Sequence, residues 1–463
     1  MATKKPSEII ADFVIDTGFA DIPESSLHKA KLCLLDMLGV MIAAWSEESS
    51  KILAQYLASL AGKQESSIIV CGQKVPVEHA ALVNGAMAHS LELEDHHNHK
   101  RSLNHPGVAS IPAALAVAER EGINGKDFIT SVILGYEIGS KISRATRVGV
   151  LNLERGFHET AVCGPFSAAV VAGKLMKIST REFANAFGIC GSLASGSMEF
   201  KANEAWTKRL QVGNANRNGI LAVELARRGY TGPFTVFEGK HGFFNSYAGK
   251  GNYDLTGWLQ DLGRDWEIEY IQFKPFGCAG VLHSAVTAAQ KMIAEKRIVP
   301  AGIERITVYT SKKILEEYAS PIEQKVKPAN LVGAQFSLQY CVAAMFVKRK
   351  LLFEEFKCFQ DSEILDLAKK IKVMADPEID KHWPSHDPTV LVCEMENGET
   401  YETRVEQAKG DLNDPLTEKE IIAKFHQLAG VFFDQRRREK IISCCLRIEE
   451  VQNLNELIDL LTI

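Results

Sequence analysis

No C-x-x-C occurs among the ten cysteines of this chain, and apart from the adjacent Cys444 and Cys445 they are scattered singly, which argues against disulfide, zinc and iron–sulfur frameworks. Most sit in apolar stretches such as LCLLDML and QYCVAAMF, where a free thiol packs as a small hydrophobe. Reduced cysteines fit a cytoplasmic protein. Phosphate-cradling loops are also missing: there is no G-x-G-x-x-G after a strand, no G-x-x-x-x-G-K-[ST] and no G-x-S-x-G elbow. Nucleotide-dependent and serine-hydrolase chemistry therefore lack their usual signals. Positive charge is not in excess, since 53 Lys and Arg face 58 Asp and Glu, a net charge of -5. Without a basic field the chain has no general means of collecting nucleic acid or anionic lipid, and any anionic ligand must be held by a local cluster.

Long apolar runs are scarce as well. Only Pro328 to Val347 is free of charge over 20 positions, a membrane-span length. Pro328, Asn330, Gln335, Ser337, Gln339 and Tyr340 crowd it, so it reads as a buried core helix and no membrane partner is expected. At the amino terminus Glu8, Asp12 and Asp16 interrupt the apolar stretch that a secretory signal needs.

What the chain does have is helical periodicity. Its 463 residues, 46% hydrophobic and 24% charged, suit a soluble protein of two or three domains. Up to about residue 265 apolar residues recur at helical spacing. Ser25 and Ser26 can cap a helix through HKAKLCLLDMLGVMIAAW, and Asn124-Gly125 precedes a segment in which Ile129, Val132, Ile133, Tyr136 and Ile142 share a face. Further helices are expected at Val77–Leu91, Pro106–Arg120, Thr160–Met176, Thr180–Leu193 and Gln211–Arg228, with a small strand at Ser66 to Gly72. After Trp266 the pattern changes. RITVYTS and Ile371–Ile379 read as strands, and Asn397-Gly398 sits between two β-like runs as a hairpin turn. Helices at Gly333–Lys348 and Ser362–Lys370 would cover this sheet, and helical periodicity returns from Leu416. The expectation is a mainly α protein: a large all-helical domain formed by residues 1–267 and 409–463, and a smaller α+β lid domain formed by 268–408.

Five of the 13 histidines fall in HSLELEDHHNHKRSLNHPG, His89 to Gly107, beside Glu92, Glu94 and Asp95. The bland reading is a solvated polar loop. A metal site at the His96–His99 cluster is a sharper one, since these histidines with Asp95 offer suitable ligands; however, adjacent histidines point apart and no H-x-x-x-H spacing is present. The third reading is an acid/base loop in which a carboxylate orients an imidazole that titrates near working pH. His105 precedes Pro106 at a helix start, beside amides able to receive an anion. His158 in GFHETAVCGPF also precedes a helix, where capping or core roles are the commoner ones. Lys208, Arg209 and Arg217 in TKRLQVGNANRNG form either a solvated face or a carboxylate clamp. His283 in KPFGCAGVLH and Tyr340 in FSLQY both have core residue as their default reading.

Together HSLELEDHH…NHPG, GFHETAVCGPF, TKRLQVGNANRNG, KPFGCAGVLH and FSLQY stand in the order and approximate spacing of the MmgE/PrpD family, and the resemblance covers essentially the whole chain. The family includes 2-methylcitrate dehydratase, cis-aconitate decarboxylase and iminodisuccinate epimerase. The resemblance implies a helical domain with an α+β lid, a homodimer, and an active site between the domains. It implies catalytic roles for Asp95, His105, His158, His283 and Tyr340 and a carboxylate contact from Lys208, and Glu92, His96 and Arg217 are expected with Lys208 as substrate-binding residues. The first motif departs from the family's D-F-D-D-T-W type: Glu92 stands where the first aspartate would be and His96 replaces the threonine. The implied reaction is a cofactor-independent lyase step on a small di- or tricarboxylate, of dehydratase or decarboxylase type, with dicarboxylate epimerisation, metal-assisted chemistry and a non-catalytic binding protein as the alternatives. Proton removal or CO₂ loss beside a carboxylate builds negative charge that fixed cationic and hydrogen-bonding groups must meet.

Overall fold

The computed structural model describes residues 4–97, 102–383 and 385–463. It is 58% helix and 9% strand, a mainly α protein. The helices in chain order are α1 (Pro6–Asp16), α2 (Glu24–Ala44), α3 (Glu48–Ser59), α4 (Val77–Ala88), α5 (Pro106–Glu121), α6 (Gly125–Arg144), α7 (Glu159–Leu175), α8 (Thr180–Leu193) and α9 (Thr207–Arg227). Seven of them lie where the apolar spacing predicts helix. α6 begins where Asn124 accepts from the Asp127 amide at 2.9 Å, and α8 opens on a Ser179–Glu182 capping box, so orphan amides at both starts are satisfied.

At the centre α7 packs against α5, α6 and α9, and α9 packs against α4. Small residues make this close approach possible. A Cβ on Gly219 would fall 2.5 Å from the Ala168 Cβ and 2.6 Å from the Pro165 carbonyl oxygen, so α9 meets α7 backbone to side chain only with glycine there. The chain's last helices return to this core: Glu418–Ala429 and Gln435–Leu446 both pack on α2, burying Ile421, Phe425, Ile441 and Cys445. Removing one such side chain, as in Phe425→Ala, is expected to cost about 3–5 kcal/mol.

A second hydrophobic core runs from Phe276 to Val405. The strands are β1 (Ser66–Ser67), β2 (Lys74–Val75), β3 (His96–His97), β4 (Ile271–Gln272), β5 (Ile303–Thr310), β6 (Ile371–Ala375), β7 (Thr389–Met395) and β8 (Thr400–Val405). The last four form one sheet in the order β6-β5-β7-β8. β5 and β6 run parallel with Ile306 beside Ile371, and β7 and β8 are the antiparallel arms of the Asn397-Gly398 hairpin. Thr389, Leu391 and Cys393 alternate inward on β7, facing helix α10 (His283–Lys296).

Three local expectations differ from the structure. The run after Ser67 does not stay in its sheet; Val70 instead exchanges backbone hydrogen bonds with Leu461 and Ile463, both 2.8 Å, because that apolar stretch is covered by the carboxy-terminal helix. The helix expected over 333–348 breaks at Phe336, and Ser337 caps a new helix, Leu338–Lys348, by accepting from the Tyr340 amide at 3.0 Å. The strand from Ile371 stops at Ala375, since Pro377 has no amide to continue the ladder and Asp376 caps a short helix instead.

The segment after α4 is anchored on both cores. β3 pairs antiparallel with β4, His96 opposite Gln272. Gln335 donates to the Leu91 carbonyl at 2.9 Å and the Gly277 carbonyl at 3.0 Å. Lys424 donates to the Leu93 carbonyl at 2.6 Å while its ammonium pairs with Asp36 at 2.7 Å.

Candidate active site

Between the two cores lies a cavity of about 120 Å³. One wall comes from the helical core, with His105 at the start of α5, His158 before α7, and Phe200 and Lys208 from the region of α9; the opposite wall carries Lys274, Gly280 and Tyr318. Lys201, Lys208, Lys274 and Lys313 all line it, whereas Glu92 is the one carboxylate among the described lining residues. Two further carboxylates support the lysines from behind: Glu317 lies 3.7 Å from Lys201 and 3.2 Å from Lys313, and Glu94 lies 3.4 Å from Lys274.

Glu92 holds the centre of this cluster. Its backbone has a φ of 55°, a left-handed conformation that costs an ordinary side chain roughly 1–2 kcal/mol. The conformation puts its carboxylate between Lys208, which donates to Oε1, and Lys274, 3.4 Å from Oε2. Burial would raise the Glu92 pKa, but Lys208 and Lys274 overcome it and hold the group at about 2. Burial likewise opposes ionisation of Glu94, and Lys274 and His89 hold it well below the usual carboxylate range. Lys274 is held above its usual value, because Glu94 and Glu92 outweigh burial. For Lys208 burial wins and the pKa falls despite Glu92.

The histidines form one cluster, with the His89 ring 5.1 Å from that of His105 and 5.3 Å from that of His158. His105 Nδ1 donates to the Asp95 carbonyl oxygen at 2.8 Å, with Glu94 Oε1 at 3.6 Å, which directs its Nε2 edge to the cavity that the side chain lines. Its amide donates to Thr160 Oγ1 at 3.1 Å. His158 Nδ1 contacts Gln211 Oε1 at 2.9 Å, and its Nε2 lies 3.3 Å from Nε2 of His89. Burial pulls the pKa of both cavity histidines well down, helped by Lys274 at His105 and by His89 at His158.

Of the residues expected from the sequence, the structure brings Glu92, His96, His105, His158 and Lys208 to this cavity. Asp95 is next to it in sequence but turns the other way. Its carboxylate is buried against Gly107 and Tyr136; a Cβ on Gly107 would stand 2.3 Å from Asp95 Oδ1 and 2.3 Å from the Tyr136 hydroxyl. Burial lifts the Asp95 pKa to about 7, the Tyr136 hydroxyl opposing and Asp36 adding to the rise. His283 lines a separate, adjoining cavity of about 300 Å³ that shares His96 and Gly280 with the first; its ring packs edge-on to Phe276. Tyr340 is fully buried in the second core beside Phe356, and Arg217 is exposed on α9. These last two are not brought to the site. Of the His96–His99 cluster, His96 and His97 both line the cavity, with His97 Nε2 held by Glu267 at 2.9 Å, and His99 lies outside the described residues. Among the described residues no group of three or more His, Cys, Asp or Glu is placed to hold a metal ion.

Six site residues escape the sequence reading: His89, Glu94, Lys201, Gln211, Lys274 and Lys313. Two had a signal. Glu94 stands two residues from Glu92 in the same acidic motif, and Lys274 is the one charged residue between Tyr270 and His283. His89 and Gln211 are brought in only by the packing of α4 and α9 around α7.

Comparison with known proteins supplies the family. The MmgE/PrpD N-terminal domain matches residues 8–256 and the MmgE/PrpD C-terminal domain matches 276–448. The chain belongs to the MmgE/PrpD family. Among curated relatives, the cis-aconitate decarboxylase-like protein oryM of Aspergillus oryzae is 28% identical over 480 residues, covering 98% of this chain and 96% of the relative. Cis-aconitate decarboxylase of Aspergillus terreus is 28% identical over 466 residues, 95% of this chain and 92% of its own length. The human cis-aconitate decarboxylase is 24% identical over 480 residues, 100% of this chain and 95% of the relative.

Proposed function

We propose that this protein is a cofactor-independent lyase of a small di- or tricarboxylic acid, with decarboxylation of an unsaturated tricarboxylate of the cis-aconitate type as the favoured reaction. The observation that carries the reading is the charge of the cavity wall: four lysines line it against one carboxylate, beside two histidines held in fixed tautomers. The relatives named for cis-aconitate decarboxylation span nearly the whole chain, which favours this reaction over dehydration or epimerisation.

The lysines bind the carboxylates that remain on the substrate. As CO₂ leaves, the electron pair of the broken C–C bond spreads into the adjoining unsaturated system, and the fixed ammonium groups of Lys208 and Lys274 meet the developing charge. A proton must then reach carbon. His105 and His158 line the cavity and are the groups that move it, a role worth about 10²–10⁴ in rate. An anionic substrate raises the histidine pKa values that burial lowers, so binding favours the protonated acid.

The test is incubation with a panel of citrate-like, aconitate-like and succinate-derived acids, followed by proton NMR in D₂O. Release of CO₂ with a new vinylic signal and one deuterium in the product is expected. Water loss without CO₂ would make it a dehydratase, exchange without net conversion an epimerase, and no change in any acid would defeat the reading.

A further inference from the structure

His89 is 1% exposed, does not line the cavity, and is the partner of a histidine that does. The two rings are nearly parallel, 9° apart with centroids at 5.3 Å, so their facing Nε2 atoms meet edge to edge at 3.3 Å. The ends of the pair are fixed by groups whose proton requirements are known. Gln211 donates through Nε2 to the Ser197 carbonyl at 2.9 Å, which turns its Oε1 to His158 and requires a proton on His158 Nδ1. At the far end His89 Nδ1 stands 3.0 Å from Glu94 Oε1, off the line of a hydrogen bond but at an ion-pair distance at which a bare ring nitrogen and a carboxylate oxygen repel.

Three contacts therefore each call for one proton, while two neutral imidazoles supply two. With only two, either the Nε2 atoms face each other lone pair to lone pair or Nδ1 of His89 faces Glu94 unprotonated. We propose that Glu94, His89 and His158 form a proton store, holding one proton more than two neutral imidazoles and a carboxylate, and that His89 is the positioning residue that holds this proton at His158. The proposal rests on the lyase reading for its use: the proton between the two Nε2 atoms is transferred to the substrate carbon, its N–H bond breaking as the electron pair left by CO₂ forms the C–H bond. The trio falls to two protons until one from solvent restores the third. A 3.3 Å contact is at the long end for a hydrogen bond, so His158 gives it up for a substrate without a large loss. The titratable and charged groups that bear on the trio are His105 at the start of α5, whose ring centroid lies 5.1 Å from that of His89 and whose Nδ1 is 3.6 Å from Glu94 Oε1, Lys208 on α9, which works with burial against the third proton, and Glu94 and Glu92, which favour it; Lys274 pairs with both carboxylates from the opposite wall.

The test is made on the full-length protein with ¹⁵N-labelled histidine and ¹³C-carboxyl-labelled glutamate. His89→Gln, Gln211→Leu and Glu94→Gln identify the three residues' signals. At about pH 6.5, the ordinary histidine midpoint, the account requires either one imidazole protonated on both nitrogens or a protonated Glu94, with a single titration step sensed by all three groups. Two neutral imidazoles beside an ionised Glu94 would overturn it. This count is read on the resting protein, so it succeeds or fails whether or not a polycarboxylate proves to be the substrate. On an acid that is turned over, His89→Gln and Glu94→Gln should each lower kcat about 10–100-fold, with KM within about threefold, and should displace the limb on which kcat falls as pH rises. Unchanged kcat and an unmoved limb in both variants would contradict the role given to His89.

Discussion

Lys208 spends its charge on Glu92: its ammonium donates to Oε1 of that carboxylate, while the other oxygen faces Lys274 at 3.4 Å. The resting cavity thus keeps its central cations partly neutralised, and an anionic substrate competes with Glu92 for them. Glu92→Gln should remove the competitor and tighten the binding of a tricarboxylate about tenfold, equivalent to about 1.4 kcal/mol. Lys208→Met should weaken it by about 10–100-fold, the range for a hydrogen bond to a charged group. Calorimetric titration with a citrate-like acid reads both; equal affinity in Glu92→Gln and the parent would show that Glu92 does not compete.

Asp95 gives the fold a pH signature. Its pKa rises from 3.8 to about 7 on folding, so between these values the native state binds the proton more strongly than the unfolded chain does. The stability it contributes is complete below pH 3.8 and is lost as pH rises toward 7. Glu137 and Glu159 are lifted to about 7 in the same way, burial being the main cause in each. Asp95→Asn should therefore gain more stability at pH 8 than at pH 5, by a few kcal/mol at most. Denaturant midpoints at the two pH values check this, and an equal gain at both would contradict it.

Lys424 ties the helical core to the backbone that carries the two glutamates. Without its ammonium, Asp36 stays buried and uncompensated and the Leu93 carbonyl loses its donor. Lys424→Met is expected to cost about 3–5 kcal/mol, and adding Asp36→Asn should recover much of it. A double-mutant cycle on unfolding free energies measures the coupling; additive losses would mean that the pair is not a unit.

Much of this was legible in the sequence. Helices α4 to α9 follow directly from apolar spacing and caps, and the hairpin follows from Asn397-Gly398, since both depend on neighbours in the chain. Glu92, His105, His158 and Lys208 stand in motifs whose order survives in the fold. What local reading does not supply is orientation. Adjacent side chains here face opposite ways: Glu94 backs Lys274 behind the cavity wall while Asp95 packs on Tyr136. Tyr340 was placed by its motif, yet its helix turns it into the second core.

Two residues expected at the site are thereby predicted to be silent. Arg217→Ala and Tyr340→Phe should keep kcat/KM within about threefold of the parent. Tyr340→Phe should be neutral or stabilising by about 1 kcal/mol, because no hydrogen-bond partner among the described residues meets the buried hydroxyl. A hundredfold loss of turnover in either variant would place that side chain at the reacting centre.

The most direct test of the central claim is His105→Gln, assayed on the acid that the parent protein consumes, with affinity measured separately by calorimetry. The account predicts a fall in kcat of at least about 10² with binding unchanged within about threefold, because the lysines hold the carboxylates while His105 acts with His158 on the one proton that reaches the carbon. Turnover within threefold of the parent would contradict it.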